Sequence, residues 1–98
     1  MKIKLTKRAE RRIEIVDEWW RTHRLEAPDL LKQELNGARL RLAEDPYAGT
    51  AVVRGGKQLR RLLLPGTEQW LYYAVRPKQQ LIVVQTLWGA RRGRDPKF

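Results

Sequence analysis

Ninety-eight residues, 42% apolar and 33% charged, suit one small folded domain and leave no room for a second core. The absence of cysteine removes disulfide frameworks and Cys-based zinc sites, and a single histidine argues against His-built metal sites and Ser-His-Asp catalysis. The formal charge of +10 is uneven: residues 1–49 hold 11 Lys/Arg against 9 Asp/Glu, residues 50–98 hold 10 against 2. A positive field on one side of a small domain selects nucleic acid or acidic protein as partner.

In chain order, KIKLT (2–6) alternates with Ile3 and Leu5 on one side, the pattern of a short half-buried strand. Thr6 sits at the N-cap of a helix whose stripe is Ala9, Ile13, Val16 and Trp20, ending near residue 23. Lys7, Arg8, Arg11 and Arg12 read as a solvated face partly paired with Glu10 and Glu14. Trp19 and Trp20 are about 100° apart on the helix, which sends Trp20 to the core and leaves Trp19 at its edge as an anchor for a partner. RTHRLEAP is a turn. Pro28 opens a second helix, with Asp29 in its first turn and a stripe of Leu31, Leu35, Ala38 and Leu42. Pro46 forbids continuation much past Glu44. Gly37 inside this helix suggests a close helix contact.

After Pro46 the hydrophobic period changes from 3.6 to 2. DPYAGTAVVRGGK reads as a loop, followed by strands LRRLLL (59–64), QWLYYAV (69–75) and LIVVQTLW (81–88) with short turns between them. The last is the most apolar and is expected at the centre of the sheet. The fold class is α+β, ordered β-α-α-β-β-β. It comprises an N-terminal strand and an antiparallel helical hairpin on a three- to four-stranded, mainly antiparallel twisted sheet, one domain over 1–98. No run is long and apolar enough to span a membrane, and no signal peptide follows Met1, so a cytoplasmic protein without cofactor or metal is expected.

Several stretches then resemble the RelE/ParE family of bacterial type II toxins: KLTKRAERRI into DEWW, APDLL, LAEDPYAG, LRRLLLPG, WLYYAV and LIVVQTLWGARRGRDP. The likeness rests on their order and spacing across nearly the whole chain. It implies a cognate antitoxin, and one of two targets. The RelE-like branch cleaves ribosome-bound mRNA, which requires a proton acceptor for the 2′-hydroxyl and cations at phosphorus. Arg61, Tyr72, Tyr73 and Arg91 are the residues available for that role. This sequence departs from that branch: Trp70 and Gly89 stand where relatives carry polar or basic residues, and His23, the sole histidine, lies at the turn between helices. The ParE-like branch inhibits DNA gyrase by binding, which requires only a basic surface of the right shape. That branch is the closer match, a non-toxic nucleic-acid-binding module being a further alternative.

Under the resemblance, target contact falls to Arg60, Arg61, Trp88, Arg91, Arg92 and Arg94, and antitoxin contact to Trp19, Arg60, Arg61, Trp70 and Arg91. The residues themselves constrain these roles. Alternation puts Arg60 and Arg61 on opposite faces, so one points toward the helices, where an ion pair with a carboxylate such as Glu34 is the structural expectation. Tyr72 and Tyr73 likewise diverge, one into the core and one exposed with a free hydroxyl. In the terminal RRGR, Arg91, Arg92 and Arg94 follow an apolar strand that holds their base and leaves the guanidinium groups free to grip phosphate or carboxylate.

Overall fold

The computed structural model describes all 98 residues. Strand β1 (Lys2–Leu5) leads into α1 (Lys7–His23) and α2 (Leu30–Glu44), followed by β2 (Thr50–Arg54), β3 (Lys57–Leu64), β4 (Gln69–Arg76) and β5 (Leu81–Gly89). The strands form one sheet in the order β1-β5-β4-β3-β2, antiparallel except for the parallel pair β1/β5. The expected α+β architecture is therefore present, with five strands rather than three or four. The additional strand, β2, lies within the stretch read from sequence as a loop. TAVVR is short and edge-lying, and Gly49 and the Gly55-Gly56 turn flank it, so turn residues masked a strand. The centre is also corrected. β4 is the middle strand, and the more apolar β5 lies between β4 and β1 because helix α1 covers it.

Thr6 explains where α1 begins. Its hydroxyl accepts from Ala9 N at 3.0 Å and donates to the Gln85 carbonyl at 3.0 Å, so the N-cap also stitches the helix to β5. The α1 stripe points inward as its spacing requires, with Ala9 and Val16 buried and Ile13 and Trp20 packed against the core. In α2, Leu31, Ala38 and Leu42 are buried and Leu35 packs on them. This helix starts at Leu30 rather than Pro28, because Leu30 N donates to the Ala27 carbonyl in a preceding turn and the Asp29 carboxylate faces Arg21. Gly37 marks no close helix contact: a Cβ added there meets nothing within 4 Å.

On the sheet, β3 and β4 pair Arg60 with Tyr73 and Leu62 with Leu71, so these four share the face beneath the helices. Leu62, Leu64, Leu71, Tyr73, Ile82, Val84 and Leu87 build the core there with the helix stripes. Each fully buried aliphatic side chain contributes about 1.5–3 kcal/mol. A register shift between Tyr72 and Tyr73 leaves Gln85 as the extra residue on β5. The opposite face carries Leu59, Arg61 and Leu63 of β3, Trp70 and Tyr72 of β4, and Thr86 and Trp88 of β5.

That second face is not left bare. The chain after β5 crosses it as a strap. Trp88 Nε1 donates to the Arg94 carbonyl at 2.8 Å, Asp95 pairs with Arg54 at 2.9 Å, Pro96 is buried, and Phe98 lies 5.4 Å from the Tyr72 ring. Arg8 closes the strap from the helix side, donating to the Lys97 carbonyl at 2.7 Å with its guanidinium 5.0 Å from the Phe98 ring. Tyr72 is consequently 0% exposed, as is Tyr73. The expectation of one exposed tyrosine is wrong: alternation places the two rings on opposite faces, but both faces are covered.

Candidate functional site

The arginine-rich segment begins where β5 ends at Gly89. Ala90 N donates to the Glu68 carbonyl at 2.8 Å and Arg92 N to the Gly89 carbonyl at 3.2 Å, which folds residues 90–94 into a turn against the β3–β4 turn. Arg91 is ion-paired with the Glu68 carboxylate and exposed. Arg92 lies with its guanidinium 4.0 Å from the Trp88 ring. Trp88 thus shapes the turn twice, through its indole N–H to Arg94 and through its face to Arg92. Gly89 leaves room: an added Cβ would sit in ordinary contact, 3.6 Å from Arg92 Cγ.

Opposite this turn, the C-terminal half of α1 supplies the other wall of a groove of about 810 Å³. Arg12, Ile15, Trp19 and Arg24 line it from the helix side, and Glu68, Arg91 and Arg92 from the sheet end. Four guanidinium groups therefore face one carboxylate, already engaged by Arg91. Between the cations lie exposed apolar surfaces, with Ile15 at 46% and Trp19 at 43% exposure. The indole of Trp19 stacks on His23 at 4.8 Å and 11°, and Arg24 sits 5.1 Å from its ring centre, so part of its ring surface is engaged within the molecule.

Arg12 is the least conventional group here. It was expected on a solvated face paired with Glu10 or Glu14, yet none of the four ion pairs involves those glutamates. Arg12 is half-buried, and its Nε is shielded from solvent without a hydrogen-bond partner. Burial, followed by the nearby charges of Arg92 and Arg8, holds it below the ordinary arginine range. A cation kept among cations in this way gains most from an incoming anion.

The remaining expected residues divide between two other places. On the strap-covered face, Arg61 lies 4.0 Å above the Trp70 ring and donates to the Tyr72 hydroxyl at 3.3 Å. Beneath the helices, Arg60 donates to the Gly49 carbonyl at 2.6 Å and the Tyr47 carbonyl at 3.2 Å, while Gly49 N donates to the Tyr73 hydroxyl at 2.8 Å. Arg60 and Tyr73 together pin the 45–49 loop to the sheet. Burial raises the Tyr73 phenol above its usual range, against a smaller lowering by the Gly49 bond.

Glu34 pairs with no arginine. Its carboxylate instead accepts from Gly66 N at 2.7 Å, Thr67 N at 2.8 Å and Thr67 Oγ1 at 2.7 Å, clamping the turn that forms the groove's sheet-end wall. The expected pair with β3 fails because the arginine on that face, Arg60, finds backbone carbonyls in the 45–49 loop first.

The structure thus gathers Trp19, Arg91 and Arg92 in one groove, and Arg61, Trp70 and Tyr72 on another face. The four residues considered for RNA cleavage do not converge, since Tyr73 lies beneath the helices and Arg91 at the sheet end. Arg94 is exposed on the turn and donates no side-chain contact to the groove. Sequence reasoning missed Arg12, Ile15 and Arg24. The signal was a second helical stripe, Arg8, Arg12, Ile15 and Trp19, running beside the apolar one. No group of three or more His, Cys, Asp or Glu is placed to hold a metal ion. No helix is long and apolar enough to cross a membrane. No protein-family model matches the chain, and no curated protein is significantly similar to it.

Proposed function

We propose that this chain is the toxin of a bacterial type II toxin–antitoxin pair, acting in the cytoplasm as a ParE-like inhibitor of DNA gyrase by binding. A cognate antitoxin neutralises it. The observation that carries the reading is the arginine-rich groove, in which four guanidinium groups and two exposed apolar side chains are served by a single, already paired carboxylate. Such a surface needs an acidic partner and no catalytic group of its own.

The alternative is a ribosome-dependent mRNA endonuclease. It draws support from Arg61 and Tyr72 lying within 3.3 Å on one face. Against it weigh the strap over Tyr72 and the raised, hydrogen-bonded phenol of Tyr73, which serves poorly as a base near neutral pH.

Induction of the chain alone in a bacterial host, with separate pulse-labelling of DNA and protein synthesis, tests the reading. DNA synthesis stopping first supports gyrase as the target. Early collapse of protein synthesis with cleaved messages refutes it in favour of the endonuclease. Charge reversal at Arg91 and Arg92 together abolishes toxicity if the basic turn carries the contact.

A further inference from the structure

The groove has an internal order that defines what it binds. Along α1 and the residue that caps its end it runs Arg12, Ile15, Trp19, Arg24: cation, apolar, apolar, cation. At 1.5 Å per residue the two arginines stand about 18 Å apart along the helix axis. The opposite wall adds Arg92, whose guanidinium is held over Trp88 and whose charge acts on Arg12.

An extended segment fits this series of side chains. At about 3.3 Å per residue, residues at every second position of a strand share a face about 6.6 Å apart. Four such positions cover about 20 Å, matching the cation–apolar–apolar–cation series in length and order.

We infer that the groove binds an extended acidic segment of a protein partner, with carboxylates at the first and seventh positions and apolar side chains at the third and fifth. The end carboxylates meet Arg12 with Arg92 and Arg24, and the apolar pair lies on Ile15 and Trp19. Nucleic acid suits the site less well, because bases need open aromatic faces, and here His23 already stacks on the Trp19 ring while the aliphatic Ile15 offers none. The buried, partnerless Nε of Arg12 supplies a directed donor for one carboxylate oxygen. The inference rests on the proposed function only in taking this segment as the antitoxin's.

The test is fluorescence anisotropy of the purified full chain with a dye-labelled peptide, Gly-Glu-Ser-Leu-Ser-Leu-Ser-Glu-Gly. Binding is expected to weaken at least tenfold on Arg12→Gln and on Trp19→Ala, to fall steeply with salt, and to be unaffected by Lys78→Gln on the distant β4–β5 turn. Arg24→Gln, at an exposed position, is expected to weaken it several-fold. No binding overturns the inference, as does equal binding of a peptide with glutamine for glutamate. Capture of a labelled single-stranded oligonucleotide through the same arginines, in preference to the peptide, also overturns it. Toxicity is measured separately by growth. A toxic chain that ignores the peptide leaves the toxin reading standing without this groove, whereas a harmless chain that binds it leaves the groove standing without the toxin.

Discussion

Tyr73→Phe removes one oxygen atom, and the structure gives its consequence. The ring is fully buried, and its hydroxyl is the acceptor for Gly49 N at 2.8 Å. Phenylalanine keeps the packing and strands a buried backbone N–H. Leaving such a donor unsatisfied costs roughly 1–3 kcal/mol. At about 4–8 °C per kcal/mol for a domain of this size, a central cost of about 2 kcal/mol lowers Tm by about 8–16 °C. Thermal unfolding by circular dichroism reads this directly, and hydrogen exchange at Gly49 locates it. A Tm within 2 °C of wild type, with Gly49 still protected, would refute the assignment of Tyr73 as the anchor of the 45–49 loop.

The same tyrosine sets a pH dependence. Its folded pKa is raised, so the native state holds this proton more tightly. The contribution is complete below the unfolded value near 10 and declines as pH rises from there through the folded value. Denaturant titrations across pH 9–11 should show a decline that Tyr73→Phe reduces. Gly49→Ala should destabilise by about 2–3 kcal/mol, since the new Cβ would lie 2.7 Å from the Tyr73 hydroxyl and 2.8 Å from the Arg61 carbonyl; urea midpoints measure it. Gly37→Ala should stabilise by about 0.4–1 kcal/mol in the same assay, the helix having space and the unfolded chain fewer conformations. Within the strap, Asp95→Asn should cost under about 1 kcal/mol because the pair with Arg54 is partly exposed. Phe98→Ala should open Tyr72 to faster hydrogen exchange.

The helices and four of the five strands were legible because each shows one period clearly enough to register. Ala9 to Trp20 and Leu31 to Leu42 give two helical stripes, and the strands after residue 57 are separated by turn residues. β2 escaped notice because it is only five residues long between glycine-rich turns, with Val52 between Thr50 and Arg54 on one face blurring the alternation. Its strand character comes from pairing with β3, a long-range fact. The site was half legible. Trp19 and the RRGR arginines were singled out locally, but their meeting depends on α1 lying against the sheet end. Arg12 looked like one of four basic residues on a wet helix face; the turn after β5, some eighty residues later, adds Arg92 to Arg8 as a neighbour of like charge. The covering of Tyr72 was invisible for the same reason, since DPKF carries no periodicity and gains structure only by crossing the sheet.

The parallel pairing of β1 with β5 also has a consequence in time. Lys2 to Leu5 find their only strand neighbours at Leu81 to Val84, and the cap of α1 bonds to Gln85. During synthesis β1 is made about eighty residues before β5 and waits for it before its edge can be satisfied. Contacts of such long sequence separation form late and slowly. The finished fold, the groove included, therefore forms only after β5 and the turn that follows it have been made, and a partner present at that moment meets the protein as its surface first comes into being.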